Sequence, residues 1–201
     1  MIDTPSPVFG EEVGGEVETK APFTIDHLSP TTMLMILLRL IHVVGAIFWV
    51  GAAMFTGFFL IPALKETPAT MGQVAQALAK RGFMAVMPIV GLLVILSGGA
   101  MLWISSGGNL HMYMQTPSGH TFTMAGGVGI LSLIIGLVFT KPANMKAGEL
   151  GAKLQAATDP AEKARLGQEM AAAGKAAAMW TMIVTILMII AAAGMAIARY
   201  V

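Results

Sequence analysis

The chain has 201 residues, 56% of them hydrophobic and 11% charged, with a net charge of +1 and no cysteine. Soluble proteins carry about 25% charged residues, so this composition places the chain in the membrane class. The near-neutral charge excludes the basic surface that nucleic acid requires, and the absence of thiols excludes disulfides, thiolate metal sites and cysteine catalysis.

Residues 1–30 read as an acidic, outward-facing tail. They hold Asp3, Glu11, Glu12, Glu16, Glu18 and Asp26 against Lys20 alone, a composition that predicts disorder in isolation. They lack the basic start and apolar core of a cleavable signal peptide. Acidic character also suits contact with a soluble basic protein.

Residues 31–201 read as one all-α domain, a multi-pass membrane bundle of four transmembrane helices. A span needs about 20 mostly apolar residues, and four segments supply them: about 32–64, 83–104, 121–140 and 176–198. The first is longer than a bilayer requires, so it tilts or projects. Pro88 is expected to kink the second near its start. Between spans one and two, Thr67-Pro68 starts a short helix that runs to Lys80.

Basic residues set the orientation. Lys65, Lys80 and Arg81 precede span two, and Lys141, Lys146, Lys153, Lys163, Arg165 and Lys175 separate spans three and four, whereas 105–119 has no Lys or Arg. The positive-inside rule makes the basic side cytoplasmic and puts both termini outside, in a bacterial inner membrane the periplasm. Residues 141–175 are rich in helix formers. Asp159-Pro160-Ala161-Glu162 supplies an N-cap, a first-turn proline and the return member of a capping box. Spans three and four are therefore expected to extend as a cytoplasmic helical hairpin.

The run Arg39-Leu-Ile-His42-Val-Val-Gly-Ala-Ile-Phe-Trp49-Val-Gly51 puts two ionisable residues inside span one. Such residues are costly in hydrocarbon and mark a candidate site. At helical spacing, His42 shares a face with Arg39, Gly45, Ala46, Trp49, Ala52, Ala53 and Thr56. Leu38, Ile41, Val44, Ile47, Phe48 and Phe55 form the bulky opposite face. Lipid takes the second, so His42 points into the bundle. It meets there His120, a cofactor, or a carbonyl of the next helix. Arg39 can snorkel to headgroups or pair with Asp26, another subunit or a haem propionate.

Other soft or imidazole ligands gather on the same side of the membrane: His111, Met112 and Met114 in the outer loop, and His120 with Met124 one turn below it. His42 and His120, the histidines at similar depth on different helices, suit axial ligation of haem b, with Arg39 and Trp49 as further cofactor-binding candidates. The same His42, His111, Met112, Met114, His120 and Met124 set suits copper, thioethers favouring Cu(I). No side chains form a catalytic acid/base or nucleophile set in the spans.

His42, Trp49 and Gly51 give the run its resemblance to the start of the copper resistance D superfamily, where a first-helix His is followed seven residues on by Trp and then Gly. That superfamily resembles further four-helix families of uncharacterised integral membrane proteins and, more distantly, the haem-containing membrane protoporphyrinogen oxidase of bacteria. The resemblance implies a four-helix membrane protein with His42 as a haem or copper ligand. The copper resistance proteins usually have more spans, and the oxidase has a basic residue deep in its second helix that Phe83 to Ile104 lacks.

Two functions are expected. Gly45, Gly57, Gly98, Gly99, Gly127 and Gly194 let helix backbones approach closely, and the first function is a non-catalytic accessory subunit of a larger respiratory or photosynthetic complex, docked through Gly/Ala-rich helix faces. The second is a haem b or copper protein in electron transfer or copper handling through His42.

Overall fold

The computed structural model describes residues 29–201; the acidic tail and the proposed Arg39 partner Asp26 lie outside them. The described residues form six helices: α1 (Pro30–Glu66), α2 (Pro68–Lys80), α3 (Phe83–Ser105), α4 (Leu110–Met114), α5 (Pro117–Ala156) and α6 (Pro160–Ile197). Four of them, α1, α3, α5 and α6, are long and apolar enough to cross a membrane. The chain is thus an all-α, multi-pass membrane protein.

The spans form a ring in chain order. α1 packs on α3, α3 on α5, α5 on α6, and α6 back on α1. α1 and α5 therefore stand on one diagonal. The core of the ring is Trp49, Val94 and Met188. Past the spans, α5 and α6 continue as an antiparallel hairpin with its own core of Leu150, Leu166 and Ala173. At its tip, Asp159 caps α6 by accepting the Glu162 N–H at 3.0 Å, with Pro160 first in the helix. An orphan N–H of the first turn is thereby satisfied.

Both α1 and α5 contain one π turn, at Thr56–Leu60 and Gly136–Thr140. The N–H of Ile61 reaches back to the Thr56 carbonyl and that of Lys141 to the Gly136 carbonyl. Pro62 and Pro142 follow directly. A proline inside a helix lacks the donor and crowds the carbonyl four residues back, and slipping the ladder by one residue accommodates it. Pro88 lies within α3 without such a turn.

Small residues bring the spans together. A Cβ at Gly45 would lie 2.8 Å from Val94, one at Gly57 2.8 Å from the Thr185 hydroxyl, and one at Gly194 2.9 Å from Ala125. Thr185 is fully buried and donates to Thr181 O (2.8 Å), with Ala53 O of α1 at 3.0 Å. Trp180 of α6 stacks on Phe139 of α5, ring centroids 4.4 Å apart. The outer surface is apolar, with Ile47, Val44, Phe55 and Phe59 exposed, as hydrocarbon contact requires.

Candidate functional site around His42

α1 is turned about its axis as its pattern predicts. Gly45, Ala46, Ala52, Ala53 and Thr56 are partly buried and Trp49 is buried, whereas Ile41, Val44, Ile47, Phe48 and Phe55 are exposed. Two residues depart from the pattern: Arg39 is exposed and Leu38 partly buried.

His42 is half-buried against α3. Its Nδ1 lies 2.8 Å from the carbonyl oxygen of Val94. A carbonyl only accepts, so Nδ1 carries the proton and donates. The ring rests on Gly98, where a Cβ would come within 2.7 Å of Cε1. Ser97 Oγ donates to Leu93 O at 2.7 Å and stands 3.5 Å from Nδ1. Among the described residues Nε2 has no hydrogen-bond partner, and it is not sealed from the exterior. Of the three neighbours foreseen for His42, the structure provides the carbonyl of the next helix.

Trp49, two turns further along, is a core residue. Its indole lies over Gly91, where a Cβ would be 2.8 Å from Cζ2 and 2.9 Å from Cε2. His42 and Trp49 thus both dock on glycines of α3, and α1 presses its largest inward side chains into grooves that lack a Cβ.

The remaining candidates are dispersed. His120 is exposed at the start of α5, diagonal to α1, so the structure does not pair it with His42. Met124, one turn below, is exposed. His111 and Met112 are exposed on the short helix α4, with Met114 partly buried there. His111 Nε2 accepts from the Gln115 side chain at 3.2 Å. Among the described residues no three His, Asp or Glu side chains converge as a metal site.

Two features escape sequence reading. The first is which carbonyl His42 meets: the sequence foresaw a carbonyl of the next helix among three neighbours but not that of Val94. The second is a cavity bounded by the π turns, on the Asp159 side of Trp49. Pro62 and Pro142 are the signal that could have found the turns, although Pro88 sits in its helix without one. No protein-family model, curated protein or solved structure matches the chain.

Proposed function

We propose that the chain is a non-catalytic accessory subunit of a larger energy-transducing membrane complex, respiratory or photosynthetic. One observation carries this reading. Gly51, Gly99 and Gly127 are exposed on three different spans, and a Cβ at each would meet none of the described residues within 4 Å. Lipid gains nothing from such notches, whereas close approach of a neighbouring subunit's helix uses them. By the charge bias of its loops, the protein sits with the Asp159 hairpin in the cytoplasm of a bacterial cell.

Extraction of the native membrane in mild detergent, followed by native electrophoresis and mass spectrometry, tests the proposal. Other membrane subunits are expected in fixed stoichiometry, and Gly99→Leu or Gly127→Leu should release the chain still folded. A solitary chain with no partner overturns it.

The Nδ1–Val94 bond favours a second reading, haem b or copper at His42, in keeping with the resemblance to the copper resistance D superfamily. Donation from Nδ1 to a carbonyl leaves Nε2 as a lone-pair donor, the state in which imidazole binds metals. Exposed Arg39, one turn away, suits a propionate. The residues that would hold the group here are His42, through Nε2, and Arg39, and the group would supply one-electron chemistry. A Soret band or bound copper that vanishes in His42→Ala would support this reading; their absence from the purified complex would end it.

A further inference from the structure

On the Asp159 side of Trp49 the bundle is hollow. A cavity of 880 Å³ extends among the four spans, from Trp49 and Met188 in the core to Lys65, Lys141 and Lys175. Along α1, Trp49 and Lys65 are about 24 Å apart at 1.5 Å per residue, well over half of the roughly 30 Å hydrocarbon thickness of a bilayer. The volume is in the upper range of small-molecule sites, about 300–1,000 Å³. Length and volume together describe an elongated space, suited to a chain lying along the bundle axis.

Both π turns border this space, contributing Thr56, Leu60, Gly136 and Thr140. α2 closes one side. It lies on the hairpin through Gly72, where a Cβ would be 3.6 Å from the Gly151 Cα. The lining is mainly apolar and carries three lysines toward the hairpin, exposed Lys65 of α1, half-buried Lys141 of α5 and exposed Lys175 of α6, with Glu149 as the acidic residue. Asn144 lines it too and donates to the Thr140 carbonyl at 2.8 Å. Among the described residues, Thr140 Oγ1, buried in this wall, has no hydrogen-bond partner.

A loop charge bias alone accounts for basic residues at this end, but not for their placement around one cavity. Lys80, Arg81, Lys146, Lys153, Lys163 and Arg165 follow the same bias and do not line it. The pocket is partly open to the exterior, and a hydrocarbon chain seated in it makes dispersion contacts with its apolar walls. The lysines, from three helices, supply the charge that an anionic head requires.

We propose that the cavity binds an amphiphile with one long hydrocarbon chain and a carboxylate or phosphate head, the chain between the spans and the head at Lys65, Lys141 and Lys175. This site is separate from His42 and independent of the accessory-subunit reading.

Quenching of Trp49, at the inner end of the cavity, tests it. The chain has three tryptophans, so Trp103→Phe/Trp180→Phe leaves Trp49 alone. The full chain in phosphatidylcholine nanodiscs is titrated with dibromostearate, with the lysophosphatidate of the same acid, and with the corresponding neutral alcohol. Saturable quenching by an anionic probe is expected, the carboxylate and phosphate arms telling the two heads apart. Lys65→Gln/Lys141→Gln/Lys175→Gln should raise the half-saturating concentration by about ten-fold or more, a change of about 1.4 kcal/mol. Gly136→Leu should block quenching while leaving the lysines in place; a Cβ there meets none of the described residues within 4 Å, and an unchanged thermal unfolding midpoint checks that the variant is folded. Unsaturable quenching, or equal quenching by the neutral alcohol, overturns the proposal. So does saturable quenching that ignores the lysine variant or Gly136→Leu.

Discussion

The imidazole of His42 lies flush on the backbone of Gly98, so close that a Cβ there would sit 2.7 Å from Cε1 and 3.0 Å from Nδ1. The absence of a side chain on α3 allows Nδ1 to reach the Val94 carbonyl. Gly98→Ala is expected to cost about 1–3 kcal/mol, the usual range for overpacking a close contact. Once Gly98→Ala has displaced the ring, adding His42→Ala should cost little more, because the two changes break one contact. Thermal unfolding of the four variants in detergent gives the cycle; strict additivity would refute the coupling.

His42→Ala by itself removes an interhelical hydrogen bond. Such bonds in membranes contribute about 0.6–2 kcal/mol, so a modest loss of unfolding free energy is expected, with the bundle intact. A collapse of several times that size would show that His42 holds more than α3.

Two threonines should respond in opposite ways. Thr185 Oγ1 is buried within reach of two carbonyls, whereas Thr140 Oγ1 is buried with no partner among the described residues. Thr185→Val is expected to destabilise by about 0.5–1.5 kcal/mol. Thr140→Val should be neutral or stabilising, since it removes an unsatisfied group and keeps the volume. Chemical unfolding of both variants checks the contrast.

Asp159→Ala removes the cap of α6 and should cost about 0.5–2 kcal/mol. The loss is local to the hairpin tip. Amide exchange should quicken over the first turn after Pro160, while the amides around Met188 keep their protection. Faster exchange throughout α6 would contradict this.

The periodicity of span one foretold that His42 and Trp49 face inward, because lipid and helix neighbours sort small from bulky residues with one period. It missed Arg39, which is exposed although it shares the face of His42. The Asp159 cap was legible because capping is chemistry between residues three apart. Of the capping box, the structure forms the Asp159 half, in which the carboxylate takes the Glu162 N–H.

The sequence by itself determined four spans, the hairpin and the inward turn of His42, since each follows from local hydropathy or short-range hydrogen bonding. Only the tertiary structure decided that His42 is bonded to Val94 and stands apart from His120. It alone also gathered Lys65, Lys141 and Lys175 at one cavity. The reason is physical: these relationships depend on which helices adjoin in the ring and where the π turns rotate them. Neither a carbonyl nor an empty space between helices leaves a mark in the order of residues.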